Sequence, residues 1–518
     1  MDLETLLSFE WSLMTPEFIV LIVATLLTLL DLFLPKKFNR NHLGWIGLVG
    51  ILLALVSVFG LIGRDPGSIL YDTFRLDSFA KAFKILLLAG SALVFLLAID
   101  YEPKEGRSEY RGEFFYLFMT ALLGAMIMSS SGDLITLFVG LELLSISSYI
   151  LAGLRKTNIK TNESAMKYVI NGSISTAILL FGMSYVYGIT GTTNLKAMAG
   201  MLQTVTDPQH LYLLGLAFFM IFVGLSFKIA AAPFHMWAPD VYEGSPTPVT
   251  AFLSVVSKTA GFIIVIRIML SIFAAVPTGD EGFPMLFALQ DYIGFLAGAT
   301  MIIGNVVALR QRNIKRLFAY SSIAHAGYIL VAFTAMSYVM FDSIWFYLLA
   351  YLFMGMGAFA VIQLITAKEG SEDISHFAGL YQRSPILAVT MAIFLLSLAG
   401  IPGTAGFIGK LNIFLGALMV NPSHYVLASI MIATTVVSYV YYFGIMTQMF
   451  FRPSAGLATA EAAAAVQGEV PAAKPGLPAG ITAVIIICAA ATILFGILPQ
   501  LAFDFLQTNF NQFMDFMQ

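Results

Sequence analysis

Glu142, Lys228, Lys258, His325 and Lys410 are ionisable residues set within or beside stretches otherwise dominated by Leu, Ile, Val, Phe, Ala and Gly. If those stretches cross a bilayer, each charge costs at least about 2.5–3.5 kcal/mol when left unpaired at the centre, so the set needs a shared reason. Proton transfer supplies one. A lysine in a dry site holds its proton weakly and an adjacent carboxylate strengthens that hold, so a glutamate–lysine pair acts as a switch when helix movement separates its members. Glu142 and Lys228 are read as that pair, Lys258 as the group that receives the proton, and Lys410 as the outlet. His235 and His325 suit a relay at neutral pH, because histidine titrates near 6.5. Lys167 joins the set from a position nearer one membrane surface.

Each residue also has a structural reading. Glu142, Lys228 and Lys258 could hold helices together as a buried ion pair, Lys167 could snorkel to the headgroups, and the histidines could simply pack. Lys81, Lys84 and Arg267 lie toward the ends of their runs and are read as anchors, and Asp291 as interfacial.

Helices must position these groups. Glu142 stands nine residues after Asp133 and twelve before Leu154, which at about 1.5 Å per residue puts it near mid-span. Ser145 and Tyr149 follow it at helical spacing, as Asn171 and Ser175 follow Lys167. Lys258 lies a helical turn after Ser254, and His325 lies between Ser321 and Tyr328. Each set falls on one helix face. Two stretches break the helical pattern. In Leu225–Pro239, LSFKIAAAPFHMWAP, Pro233 predicts a kinked or split helix just after Lys228. In Leu396–Leu411, LSLAGIPGTAGFIGKL, a Gly/Pro cluster precedes Lys410. Irregular backbone at bilayer depth is tolerated only where protein buries it or water reaches it, and paired breaks in two halves of a chain point to an ion path.

With 518 residues, 59% of them hydrophobic and 11% charged, the chain reads as a polytopic all-α membrane protein rather than a soluble one. About fourteen apolar runs reach the length a bilayer requires. Lys36, Lys37 and Arg40, then Lys104, Arg107 and Arg111, then Arg155, Lys156 and Lys160, then Arg310, Arg312, Lys315 and Arg316 collect in alternate loops. Positive-inside bias assigns those loops to the cytoplasm and both termini to the outside. The acidic start, Met1–Thr15, lacks a basic n-region, so the first run is expected to be a retained span. Lone Cys488 excludes an internal disulfide.

The expected organisation is an N-terminal three-helix segment (1–112), a first five-helix repeat (113–274), a second repeat (287–450), a flexible cytoplasmic linker (451–480) and a last span (481–518). Each repeat has a broken fourth helix. An odd number of crossings per block makes the second enter the membrane in the opposite sense, which is an inverted repeat.

No phosphate-binding loop, dinucleotide fingerprint, metal-spaced His/Cys cluster or nucleophile elbow is present, so neither a redox centre nor a bound metal is expected in this chain. GDLITLFVGLELLSISSYIL around Glu142, KYVINGSIST at Lys167, FKIAAAPFHMWAPDVYEGSPTPVTAFLSVVSK from Lys228 to Lys258, RLFAYSSIAHAGY around His325 and LAGIPGTAGFIGK ending in Lys410 are long, ordered motifs. Together they resemble the antiporter-like membrane subunits of respiratory complex I, the proton-translocating NADH:quinone oxidoreductase. Within them they are most similar to the bacterial N-type subunits.

The resemblance implies a proton channel of two inverted five-helix blocks in the bacterial inner membrane, with Glu142–Lys228 coupled, Lys258 central and Lys410 at the outlet. It implies other complex I membrane subunits and the lipid bilayer as partners, no nucleic acid, and no small-molecule substrate besides protons and water. NADH, FMN, iron-sulfur clusters and quinone would belong to other subunits. Gly403 stands where the family often has a second proline, which leaves open how sharply the twelfth span is broken. Two alternatives remain, a subunit of a multisubunit sodium/proton antiporter and a scaffold whose charges only pack. Lysine at position 410 and the chain length favour the first reading over the antiporter.

Overall fold

The computed structural model describes residues 3–35, 37–101, 111–278, 283–453, 478–510 and 513–517. Lys36, Lys104, Arg107 and residues 454–477 of the expected linker lie outside the described residues.

Three helices open the bundle, α1 (Thr15–Phe33), α2 (Asn41–Gly60) and α3 (Ser78–Ile99). The next block runs α4 (Arg111–Ser129), α5 (Leu134–Ala152), α6 (Ile159–Thr190), α7 (Pro208–Ile229), α8 (Trp237–Gly244) and α9 (Thr247–Phe273). It is followed by α10 (Gln290–Ala308), α11 (Ile314–Ala335), α12 (Met340–Glu369), α13 (Pro385–Ala399), α14 (Ala405–Met419) and α15 (Tyr425–Phe451). The last span is α16 (Ala479–Ile497). Among the described residues 13 helices are long and apolar enough to cross a membrane. The fourteenth expected crossing is the broken pair α13 and α14, which are shorter.

Polar residues at helix starts satisfy the N–H groups that the first turn leaves without partners. Asp133 accepts from the Ile135 and Thr136 amides to start α5, and Asn313 accepts from the Lys315 and Arg316 amides to start α11. These two caps also sit in matching bridges. The Leu134 amide donates to the Thr193 carbonyl and Leu195 to Gly132, while Ile314 donates to Glu372 and Ile374 to Arg312. In each block, therefore, the turn before the second helix is stitched to the segment after the long third helix, α6 in one and α12 in the other.

The core is built around α9, which is buried along its whole length. A predominantly apolar helix belongs inside a bundle, and the polar residues of α9, Lys258 and Arg267 among them, are buried with it. Its regular winding gives way to a π-turn at Leu253–Ser257, directly before Lys258, a distortion that often marks a functional position.

Both predicted breaks are present. α7 stops at Ile229, one residue after Lys228, where Ala230 takes a left-handed conformation (φ 56°), and helix resumes at Trp237. α13 stops before Gly400 (φ 85°) and α14 starts at Ala405. Gly403 has φ 88°, which proline's ring forbids, so the glycine at this position is the residue that allows the full break.

Gly400 serves both conformation and space, since a Cβ there would meet the Lys410 side chain at 2.9 Å. Gly400→Val is expected to destabilise the protein by about 1–3 kcal/mol, seen as a lower unfolding midpoint in detergent. Gly60→Ala, with no atom within 4 Å of the added methyl, is expected to leave that midpoint unchanged.

Candidate functional site

The two breaks create the site because they free backbone groups inside the bundle. At the first, the Ala232 amide donates to Thr300 Oγ1 of α10 (2.9 Å) and Trp237 Nε1 donates to the Phe227 carbonyl (3.0 Å). The unwound segment is thereby satisfied by a helix of the other block and by its own continuation. At the second, Lys410 reaches back from α14 and donates to the Leu398 and Ala399 carbonyls at 2.9 and 3.1 Å. A cation at the carbonyl end of α13 is where the helix dipole favours it. The Gly406 amide is taken up by Ser397 Oγ at 3.0 Å.

Lys228, Lys258, His325 and Lys410 are all buried, with no more than 6% exposure each. Lys228 donates to Ser145 Oγ of α5 at 3.0 Å. Glu142, one turn before Ser145, makes no ion pair with Lys228 within 4.0 Å, and its Oε1 is buried without a partner. Lys228 therefore meets the Ser145 hydroxyl rather than the Glu142 carboxylate. Lys258 donates to both the hydroxyl and the carbonyl oxygen of Ser322 on α11, and its ammonium lies 5.9 Å from the centre of the Tyr351 ring. Ser254 and Tyr351 share a hydrogen bond of 2.8 Å beside it.

A second cluster of hydroxyls begins one residue away on α11, with no hydrogen bond from Ser321 to Ser322 among the described residues. Neighbouring Ser321 pairs with Tyr442 OH (2.5 Å), Tyr442 OH with His325 Nε2 (3.1 Å), and His325 Nδ1 with Tyr347 OH (2.6 Å). The His325 ring stands 5.6 Å from that of Tyr328, over which the Lys410 ammonium lies at 4.8 Å. Among the described residues no hydrogen bond links Lys228 to Lys258. The helices nevertheless touch there, since a Cβ on Gly261 of α9 would contact Ile229 at 2.9 Å and Lys228 at 3.4 Å. Such an array can pass a proton by successive transfers between neighbouring nitrogens and hydroxyls, with water needed where side chains leave a gap.

Two candidates fall outside the line. His235 lies in the first break, buried, with Nδ1 unpartnered and its ring 6.4 Å from Tyr320. Lys167 faces outward at 42% side-chain exposure, as does Asn171. The polar stripe on α6 therefore lies on the outside of this chain rather than in its interior. Lys167 belongs to an alternating charge chain, Glu163–Lys167–Asp240–Arg316–Glu243–Lys160, with contacts of 2.6, 2.5, 2.5, 2.9 and 2.7 Å. That chain ties α6 and α8 to the start of α11.

The anchor reading of Lys84 and Arg267 is corrected by their burial. Lys84 pairs with Glu17 at 2.5 Å, with exposures of 0% and 2%, and Arg267 pairs with Asp77 at 2.8 Å while donating to the Ser129 and Ser131 carbonyls. They hold helices inside the protein rather than at a lipid surface. Sequence reasoning missed Ser322, Tyr347, Tyr351 and Tyr442. The available signal was the i, i+4 spacing of Tyr347 and Tyr351 in an apolar run.

The family described as NADH:quinone oxidoreductase/Mrp antiporter, transmembrane, matches residues 131–438. A protein of Geobacillus sp. (strain WCH70) named NADH-quinone oxidoreductase subunit N is 65% identical over 508 residues, covering 98% of this chain and 100% of that one. A protein of the same name from Anoxybacillus flavithermus is 62% identical over 518 residues, covering both chains completely. A chain in the structure of respiratory complex I from Thermus thermophilus with bound aureothin superposes with a TM-score of 0.75 at 31% identity, over 95% of this chain and 99% of that one.

Tyr442 holds both Ser321 and His325, so Tyr442→Phe keeps the ring and strands two buried polar groups. A loss of about 1–3 kcal/mol is expected, measured as a lower unfolding midpoint in detergent.

Proposed function

The chain belongs to the NADH-quinone oxidoreductase subunit N family, within the wider NADH:quinone oxidoreductase/Mrp antiporter membrane family, and from that membership we propose that it translocates protons. It does so as a multi-pass subunit of a respiratory NADH:quinone oxidoreductase in the bacterial plasma membrane. The observation that carries this reading is the buried array of Lys258 on Ser322, then Ser321, Tyr442 and His325, then Lys410 over the Tyr328 ring, with water required between Ser322 and Ser321 and between His325 and Lys410. Groups that bind and release protons are kept at bilayer depth by hydroxyl partners, and two broken helices open the bundle beside them.

In this reading Glu142 and Lys228 load the line, and Ser145, the hydroxyl that holds Lys228, is the partner that a small helix shift would remove. Lys258 is the central acceptor. His325 passes the proton on, and Lys410 releases it when it leaves the carbonyls of α13. His235, in the first break, is positioned to meet water entering there. Lys167 acts through its ion chain on α8 rather than as a step of the relay. The matching bridges of the two blocks, Leu134–Thr193 and Ile314–Glu372, support an inverted repeat, because an odd number of crossings separates them. The basic loops support a cytoplasmic assignment for the α11 start and outside termini.

Electron transfer that drives the movement, with NADH, FMN, iron-sulfur clusters and quinone, belongs to other subunits in this proposal. Other membrane subunits and lipid cover the outer helices. The sodium/proton antiporter alternative shares the family description, but the relatives that align along the full chain are named as oxidoreductase subunits.

Proteoliposomes holding the whole complex separate the proton path from a scaffold. Lys258→Met is expected to leave the complex assembled and to slow proton translocation through this subunit by about 10²-fold or more, as removal of a positioned acid–base group does. Proton uptake per NADH oxidised that equals the parent's in an assembled Lys258→Met complex would establish the scaffold reading instead.

A further inference from the structure

At the end of the bundle marked by the basic loops, a cavity of about 650 Å³ opens between the two blocks. Its wall includes Glu243 and Thr247 from the first block and Lys315, Gln363 and Glu372 from the second. None of these belongs to the line from Lys258 to Lys410. Glu372 is partly exposed (26%) and joins Lys315, which is 2% exposed, at 2.7 Å. Its second oxygen accepts from Asn313 Nδ2 at 3.0 Å, and Lys315 also donates to the Ser245 carbonyl at 3.0 Å. The carboxylate thus faces cavity water on one side and is fixed on the other by a buried lysine.

Below the cavity floor α9 carries a polar face in an otherwise apolar helix. Thr247, Thr250, Ser254 and Lys258 follow at intervals of three, four and four residues, all of them buried, and so align on one side. Eleven residues of helix span about 16 Å. Hydroxyls from α8, α11 and α12 flank this face. Tyr242 OH stands 3.3 Å from Ser322 Oγ, Ser254 pairs with Tyr351, and Lys258 ends the run on Ser322.

We propose that Glu372 is the entry carboxylate of this proton path and that the Thr247–Thr250–Ser254 face of α9, with water, connects the cavity to Lys258. The proposal rests on proton translocation as the function of the chain. A proton from cavity water binds the Glu372 carboxylate and passes along the hydroxyl face to a neutral Lys258 amine, which becomes the ammonium, a supply separate from the transfer out of Lys228. Glu372 is then reprotonated from the cavity. Lys315 takes no proton in this step and holds Glu372 in place through their ion pair and its bond to the Ser245 carbonyl. The charged groups around the carboxylate are Lys315, Glu243, Lys160, Arg155, Arg312 and Asp373. Of these, Lys160 is on α6, Glu243 on α8 and Lys315 on α11, while Arg155 lies in the loop before α6.

The test uses the intact complex in proteoliposomes oriented so that NADH reaches its own side, with proton uptake and NADH oxidation followed together. Glu372→Gln is expected to lower uptake per NADH by about twofold or more, as loss of a proton-transfer group does. Formate or azide added on the NADH side is expected to restore it by carrying protons into the cavity, and Glu372→Asp is expected to stay near the parent. Parent-level uptake in Glu372→Gln overturns the entry assignment. So does a loss that neither the weak acid nor Asp restores, since that marks a clasp rather than a proton acceptor. Lys258→Met in the same assay separates the two levels. If Lys258→Met pumps normally the translocation reading itself fails, whereas a defective Lys258→Met beside an unaffected Glu372→Gln removes only the entry path.

Discussion

The contact that the rest of the structure depends on is between Lys410 and the free carbonyls of Leu398 and Ala399 at the end of α13. An interrupted helix in a bilayer exposes backbone oxygens with no water to take them, and a buried ammonium has no counter-ion. Each problem supplies the other's partner. The contact is strongest while the lysine is charged, since charge-assisted hydrogen bonds are about twice as strong as neutral ones, so movement of the break and protonation of the side chain are linked. Gly400 and Gly403 make the arrangement sterically possible, one by leaving room for the lysine stem and both by adopting positive φ.

The first break solves the same problem differently, and the difference has a functional meaning. Its free amide at Ala232 is satisfied by Thr300 from the opposite block. Lys228 just before it is held by Ser145 alone rather than by backbone oxygens. The first block therefore presents a weakly tethered lysine near an unpartnered carboxylate oxygen of Glu142, and the second a firmly tethered one. α9 stands between them, buried throughout, with its π-turn immediately before Lys258. A helix wholly inside the bundle transmits displacement between its neighbours because close-packed interiors do not absorb it.

Ion pairs outside the central line fix the frame around these movable groups. Glu17–Lys84 and Asp77–Arg267 lock α1, α3 and α9 together in the interior. The charge chain from Glu163 to Lys160 fastens α8 to both blocks at the basic end. Buried pairs of this kind add little net stability over apolar packing but make a single register costly to leave.

Much of this was legible beforehand. A run of about 20 apolar residues announces a span, so the depths of Glu142, Lys228, Lys258, His325 and Lys410 follow from counting, and Pro233 and the Gly400–Gly403 cluster mark the breaks through backbone chemistry alone. Which way a side chain points did not follow. The Lys167–Asn171 stripe has the spacing of an inward face and lies outward, because in a protein bounded by lipid and by other subunits a polar stripe can be answered from either side. Ser322, Tyr347 and Tyr442 joined Lys258 and His325 from residues 22 to 117 positions away, distances over which spacing along the chain carries no information. The sequence by itself therefore determined where charges and breaks lie along each helix, since both depend on local hydropathy and backbone freedom. Only the tertiary structure decided which groups meet, because contact between helices depends on their rotation and packing, which no single helix specifies.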